Sequence, residues 1–155
     1  MKLADSSCMV CVFTEINRPF ILMDWMKRGY QIIITEQVHK EIQNNEKTNK
    51  LVNPEIKKGN IKINNLITEP ELITFRTRYP VLGLGESSVI LTALKLQKEK
   101  KRYYAILDDG NARKIASVPF PTPIAYFFPQ YSENSFSNNS SSGPKINHPL
   151  SSTLL

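Results

Sequence analysis

Carboxylates stand directly after two apolar segments of the chain, where each segment ends. Asp5 follows the short segment 2–4, and Asp108 and Asp109 follow the apolar, aromatic segment 103–107. Both segments are typical of β-strands. An ionised carboxylate at the buried end of a strand costs several kcal/mol unless a cation or a hydrogen-bond donor compensates it. A bound divalent metal ion is the simplest compensation for these acids.

Two glutamates share helical faces with apolar residues. Glu86 belongs to an apolar stripe at three-and-four spacing within residues 86–94, and Glu41 lies between Val38 and Ile42 on a similar face. Taken alone, Glu41 is also compatible with a solvated position near a helix end. If both helices turn these faces toward a sheet, all the acids can converge on one cleft.

This set of acids predicts a particular chemistry. Clustered carboxylates repel one another unless cations neutralise them, and ligand sets made only of oxygen select hard ions such as Mg²⁺ or Mn²⁺. With a nucleic-acid phosphate as a further ligand, such an ion promotes attack by water and stabilises the leaving oxygen. The predicted reaction is hydrolysis of a phosphodiester, and it requires neither His39, which we expect to be exposed, nor His148.

The elements that would position these acids alternate along the chain. Apolar segments predict strands at 2–4, 30–34, 61–67 and 103–107, and periodic segments predict helices at 8–13, 19–29, 36–45, 69–79, 85–94 and 111–116. We expect Ser6 and Ser7 to start the first helix, Thr35 to cap the third, and Asp109 or Asn111 to cap the last. Residues 44–62 are polar, with Pro54 and Gly59 as breakers, which predicts a mobile excursion with at most a short helix.

This alternation predicts a three-layer α/β sandwich, in which helices flank a mainly parallel sheet. The active cleft of such folds lies beyond the carboxyl ends of the strands. At 155 residues the chain is long enough for one domain. No apolar run is long enough to cross a bilayer, and an acid stands where a signal peptide requires an apolar stretch, so we expect a cytoplasmic protein.

Charge and cysteine content narrow the possible partners. The net charge of +6 fits an anionic partner such as nucleic acid without being specific for it. Cys8 and Cys11 are too few for a disulfide framework or a structural zinc site. The basic run 98–102 is compatible with a solvated helix end or with contacts to RNA phosphates. Arg113 could either pair with the acids or contact RNA. The apolar stripe 20–26 predicts core or a dimer surface.

The composition changes at Ser117. Residues 117–155 hold six of the ten prolines and a run of Ser and Asn, so we expect a disordered low-complexity tail after a domain of residues 1–116. Its aromatic patch, Tyr126 to Phe128, could still dock on the domain. The turn Gly83-Leu84-Gly85 lacks the other residues of a phosphate-binding loop, which favours a tight turn that opens a helix at Gly85.

Four motifs in order resemble the PIN domain family, specifically VapC-like proteins. They are Asp5-Ser6-Ser7, Val38-His39-Lys40-Glu41-Ile42, Leu82-Gly83-Leu84-Gly85-Glu86 and Leu107-Asp108-Asp109-Gly110-Asn111-Ala112-Arg113. The resemblance covers residues 1–116. It implies a Mg²⁺-dependent endoribonuclease, commonly the toxin of a type II toxin-antitoxin pair, with a protein antitoxin and a homodimer as expected partners. It also implies that Asp5, Glu41, Glu86 and one or both of Asp108 and Asp109 are the acidic site residues, and Asp109 fits the family position slightly better.

The chain departs from the family pattern after residue 116. Members of the family continue into a final strand and a closing helix, whereas this chain continues into Pro, Ser and Asn. We therefore expect the final strand to be missing, as a shifted reading frame would explain. Two alternatives stay open: a truncated, inactive relative that binds RNA or an antitoxin without cleaving, and a nuclease that acts on DNA.

Overall fold

The computed structural model describes residues 1–16 and 19–117, and within them four strands form one sheet. The strands are β1 (Lys2–Ala4), β2 (Ile32–Thr35), β3 (Ile61–Asn64) and β4 (Tyr104–Ile106). Their order is β3-β2-β1-β4, and every pair is parallel. All four residues of β2 are buried, as expected of a central strand covered on both faces.

Seven helices complete the described part of the chain. They are α1 (Ser6–Val10), which continues as a π-helical turn (Cys11–Glu15), α2 (Phe20–Lys27), α3 (Glu36–Gln43), α4 (Glu46–Lys57), α5 (Glu69–Arg78), α6 (Leu84–Lys98) and α7 (Gly110–Ser117). None of them is long and apolar enough to cross a membrane.

The strand order places helices on both sides of the sheet. The chain steps outward from β1 to β2 to β3 and then returns past β1 to β4. Because parallel crossovers are right-handed, the helices before β3 cover one face and α5 and α6 cover the other. The predicted α/β sandwich with a parallel sheet is confirmed. Within the described residues β4 is an edge strand. The sequence predicted that a final strand is missing after residue 116, and the chain from residue 118 onward lies outside the described residues.

Most predicted elements are present, with shifted ends. β2 begins two residues later than predicted, α6 begins at Leu84 rather than Gly85, and α7 extends through Ser117, which was assigned to the tail. Thr35 caps α3 as predicted, accepting a hydrogen bond from the Val38 N–H at 3.2 Å. Two further predictions were the disorder of residues 117–155 and the docking of the aromatic patch 126–128. Apart from Ser117, these residues lie outside the part of the chain that the structure describes.

The prediction of a mobile excursion at 44–62 is wrong, because α4 occupies twelve of these residues. Asn45 caps the helix by accepting a hydrogen bond from the Thr48 N–H at 3.1 Å. Thr48 and Val52, one helical turn apart, are both fully buried. Burial of this short stripe outweighs the missing N–H of Pro54, which lies inside the helix.

A buried cation marks the amino-terminal edge of the sheet. The Lys2 side chain is only 6% exposed, and its Nζ lies 4.6 Å from the ring centroids of Tyr30 and Tyr104 and 4.9 Å from that of Trp25. Aromatic faces attract an ammonium group electrostatically, so these rings replace part of the water that the charge loses. The acids predicted from the sequence lie at the opposite, carboxyl edge of the strands.

Candidate active site

The candidate acids come from the carboxyl ends of two strands and from helices beside them. Asp5 directly follows β1, and Asp108 lies two residues after β4. Because β1 and β4 are parallel neighbours with Ala4 opposite Ile106, the two aspartates meet at the same edge of the sheet. Glu86 lies in the first turn of α6 and Glu41 near the end of α3, and these two helices pack together.

Asp5 is the most deeply buried of these acids, with 1% of its surface exposed. Its Oδ1 accepts a hydrogen bond from the Cys8 N–H at 2.7 Å, and its Oδ2 accepts one from the Asp108 N–H at 3.2 Å. Asp5 therefore caps α1, the role predicted for Ser6 and Ser7, because its carboxylate reaches the third residue onward. Burial raises the pKa of Asp5 to about 6, the two N–H donors oppose that rise, and the charges of Asp108 and Glu86 add to it.

Glu41 is held by two hydrogen bonds from other elements. Its Oε2 accepts a hydrogen bond from the Ser6 hydroxyl at 2.5 Å, and its Oε1 accepts one from the Gly85 N–H at 2.8 Å. The side chain is half-buried, so the reading of Glu41 as a solvated residue near a helix end is wrong. Its carboxylate joins α3 to the amino ends of α1 and α6, where free backbone N–H groups favour negative charge.

Gly85 leaves the space that the Glu41 carboxylate occupies. A Cβ placed at Gly85 would overlap the Glu41 Oε2 and would lie 2.8 Å from its Cδ, closer than real side chains approach. Both glutamate atoms belong to a carboxylate that two hydrogen bonds already fix. The second glycine of the predicted turn therefore serves close approach of Glu41 rather than a bound phosphate.

Glu86 is half-buried and closes the first turn of its own helix. Its Oε2 accepts a hydrogen bond from the Gly83 N–H at 2.8 Å. Burial raises the pKa of Glu86, the Gly83 bond opposes this, and the charges of Asp109 and Glu41 add to the rise. Glu86 is thus electrostatically coupled to two other acids of the set, so losing the charge of any of them changes the others.

Asp108 and Asp109 face different members of the cluster. The Asp108 charge acts on Asp5, and the Asp109 charge acts on Glu86. Asp109 is the cap of α7, because its Oδ1 accepts hydrogen bonds from the N–H groups of Asn111 at 2.7 Å and Ala112 at 2.8 Å. Both aspartates are half-buried, so the choice between them as metal ligands stays open.

The sequence did not predict a place in the site for three hydroxyl-bearing residues, Ser6, Thr35 and Ser88. Ser6 bonds to Glu41 as described, and Ser88 donates to the Gly85 carbonyl at 2.6 Å and shares a 2.5 Å hydrogen bond with Thr35. Thr35 and Ser88 are buried, and they connect the end of β2 to the first turns of α6. The position of Ser6, directly after the acid that ends a strand, could have indicated its place in the site. Ser88 lies on an apolar helical face, and nothing in the neighbouring sequence indicates its role.

Two other residues singled out from the sequence lie near this region. His39 was predicted to be exposed, but it is half-buried, and its Nε2 has no hydrogen-bond partner among the described residues. Contacts of α3 with α1, α4 and α6 leave it little free surface, which explains the error. Arg113 is half-buried one turn after Asp109, and its pairing with the acids stays a prediction.

The acids fit a hard divalent cation in chemistry, since every donor is an oxygen and burial disfavours their unneutralised charge. Each hydrogen-bonded oxygen of Asp5 and Glu86 keeps a further lone pair, whereas the Asp109 Oδ1 accepts two hydrogen bonds and leaves Oδ2 as that residue's donor to a metal. However, no three acids, histidines or cysteines among residues 1–16 and 19–117 converge closely enough to hold a metal in the geometry described. Three of these acids could therefore share a metal ion only if side chains moved from these positions.

A protein-family model described as a PIN domain matches residues 2–118. No curated protein and no solved structure matches the chain. The matched range spans the sheet, all seven helices and every candidate acid.

Proposed function

We propose, since this chain belongs to the PIN domain family, that it is a metal-dependent endoribonuclease that hydrolyses RNA phosphodiesters. PIN domains are generally nucleases and typically use divalent metal ions. The observation that carries the proposal for this chain is Asp5, a carboxylate that is 1% exposed, has a pKa of about 6 and feels the charges of two further acids. Such an arrangement costs stability unless a cation offsets it.

The proposed site uses Mg²⁺ or Mn²⁺ held by Asp5, Glu86, Asp108 and Asp109, with Glu41 completing the catalytic acids. When bound, such an ion supplies Lewis-acid activation of the phosphate and of the attacking water. The chain itself fixes the acids. Backbone N–H groups orient both oxygens of Asp5, and Ser6 and Gly85 orient those of Glu41, so these two carboxylates are ordered before any ligand arrives.

The further proposals concern the biological setting. We propose a VapC-like toxin of a type II toxin-antitoxin pair that acts in the cytoplasm, binds a protein antitoxin and forms a homodimer. One feature supports the homodimer: Phe20 and Met23 on α2 are 56% and 52% exposed, beside a cavity of about 260 Å³ between α2 and α4. The stripe 20–26 therefore lies partly on the surface and not wholly in the core. Large exposed apolar groups mark interaction surfaces. Gel filtration with light scattering tests the dimer, and Met23→Glu should dissociate it.

Cleavage of RNA provides the direct test. Purified protein with Mg²⁺ or Mn²⁺ should cut single-stranded RNA, the same protein in EDTA should not, and Asp5→Ala and Glu86→Ala should each abolish cutting. Asp24→Ala removes an exposed acid of α2 and should cut at the wild-type rate. Single-stranded DNA of the same sequence forms a second arm. Undiminished cutting by the Asp5 and Glu86 variants would refute the assignment of the site.

One observation favours the alternative of an inactive relative that binds RNA or an antitoxin without cleaving. The described acids do not form a three-donor metal group. Calorimetric titration with Mn²⁺ separates the two functions. An active enzyme should bind Mn²⁺ in a manner that Asp5→Ala abolishes, whereas the inactive relative should show no Asp5-dependent binding.

A further inference from the structure

A second, larger groove lies between α5 and α6, on the side of the sheet covered by these two helices. Its volume is about 580 Å³. Cationic, aromatic and aliphatic side chains line it together, among them Arg78, Lys95, Lys98, Phe75, Leu91 and Leu94. The cavity beside α2 differs in chemistry, since Glu55 is the charged residue in its lining. The two grooves therefore fit different partners.

The charge of the α5–α6 groove is positive. Glu71 is the acid in its lining, and the Lys95 Nζ lies 2.7 Å from the Glu71 Oε1. Hydrogen bonds from Lys95 and then from Thr68 lower the pKa of Glu71 to about 2, so these two charges offset each other at neutral pH. Arg78 and Lys98 are exposed, and within residues 1–16 and 19–117 neither forms a salt bridge. Two cations thus remain available to an anionic ligand.

The groove also offers an aromatic surface. Phe75 lines it, is half-buried, and lies against Tyr79 with ring centroids 4.8 Å apart and planes tilted by 47°. Proteins that bind single-stranded nucleic acid combine cations that follow the backbone with aromatic rings on which bases stack. Both components are present here on one surface.

One end of the groove lies beside the turn that precedes Glu86. Arg78 is the last residue of α5, and the neighbouring Arg76 donates from Nε to the Leu82 carbonyl at 3.3 Å. Leu82 directly precedes the turn that carries Gly85 and Glu86. Lys98 is the last residue of α6, whose carboxyl end lies beside the start of α5 because Lys95 pairs with Glu71. Arg78 and Lys98 therefore lie toward opposite ends of the groove.

We propose that the α5–α6 groove binds the single-stranded RNA that flanks the bond to be cut. This inference rests on the proposed function and adds the path of the substrate. The candidate site itself is a cluster of acids and repels phosphates, so the attraction must come from cations nearby. Arg78 and Lys98 supply it on the surface that Phe75 also lines, and Arg78 ends the helix that contacts the turn before Glu86.

Fluorescence anisotropy with a labelled oligouridylate of about 20 nucleotides tests this path. Measurements in EDTA separate binding from cleavage. Arg78→Glu/Lys98→Glu should weaken binding at least tenfold, and the slope of log affinity against log salt should become shallower by about 1.4, since each phosphate contact on single strands contributes about 0.7. Lys47→Glu/Lys57→Glu, a matched charge reversal at two exposed lysines of α4, should change affinity much less.

The neutral pair Arg78→Gln/Lys98→Gln should show an intermediate loss, and its thermal melting by circular dichroism controls for folding. An equal loss in the α4 variant, or no RNA binding by the wild type, would overturn the inference. Unchanged RNA affinity combined with lost binding of a co-expressed protein partner would also overturn it and would assign the groove to that partner. If the groove variants lose RNA binding but the wild type never cuts RNA, the groove binds RNA and the nuclease proposal fails.

Discussion

Asp5→Asn should change the pH dependence of stability in a way that follows from the burial of Asp5. The carboxyl of Asp5 has a pKa of about 6 in the folded protein, against an ordinary value of 3.8. The folded state therefore holds a proton on Asp5 more tightly than the unfolded state does. This contribution to stability is fully present below about pH 4 and is lost as the pH rises through about 6.

The size of this loss follows from the pKa difference. A difference of about 2 pKa units corresponds to about 3 kcal/mol, at 1.36 kcal/mol per unit. Asparagine has nearly the shape of the acid and does not titrate, but its NH₂ group cannot accept one of the two backbone N–H bonds, which costs about 1–3 kcal/mol. At about pH 4 Asp5→Asn should therefore be the less stable protein by about that amount. Between about pH 4 and pH 8 without metal, the difference in unfolding free energy should shift by up to about 3 kcal/mol in favour of Asp5→Asn.

Urea denaturation in EDTA at several pH values between about 4 and 8 measures this difference. Asp24→Asn is the control, because Asp24 is exposed and pairs with Arg28 at 2.9 Å on the surface. Its unfolding free energy should differ from that of the wild type by at most about 0.5 kcal/mol at every pH. Added Mg²⁺ should stabilise the wild type at about pH 8 and leave Asp5→Asn unchanged. A gap between wild type and Asp5→Asn that stays constant across this pH range would refute the reasoning.

Three further substitutions test other contacts. Gly85→Ala should displace Glu41, lower RNA cleavage at least tenfold and lower the unfolding free energy by about 1–3 kcal/mol through overpacking. Leu84→Ala, at the exposed neighbouring position, should have none of these effects. A fully active Gly85→Ala protein would contradict the close contact. Pro54→Ala should raise the unfolding free energy by about 1–3 kcal/mol, since proline destabilises a helix interior by about 3 kcal/mol relative to alanine. A lower melting temperature of the variant would show that Pro54 fits α4 better than assumed. Lys2→Met keeps the aliphatic stem but removes the cation from its three aromatic rings. Chemical denaturation should show an unfolding free energy lower by about 1 kcal/mol. A higher unfolding free energy would mean that the cost of burying the charge outweighs the aromatic contacts.

The sequence predicted the sheet and the helices that bear the acids because their signals are local. Asp5 and Asp108 follow short apolar strands, and Glu86 follows a glycine turn at a helix start, so each acid could be placed at an element end. The parallel sheet then brings such ends to one edge. The family match over residues 2–118 agrees with that fold.

What the sequence did not predict depends on contacts between distant residues. The cap of α1 was assigned to serines because composition does not show which side chain reaches the Cys8 N–H. Helix α4 was missed because Pro54 and many polar residues hide a stripe of two buried positions, Thr48 and Val52. The bonds from Ser6 and Gly85 that hold Glu41 span 35 and 44 residues of chain, and no periodicity predicts them.

The contact between Gly85 and Glu41 makes two distant positions depend on each other. A chain of this family that carries any side chain at position 85 has to shorten, move or abandon the glutamate at position 41, and a chain that has lost the glutamate no longer needs the glycine. This pair of positions therefore gives a simple criterion for sorting related sequences. Chains that keep both residues retain the packing of the site, and chains that change one of them should change the other as well.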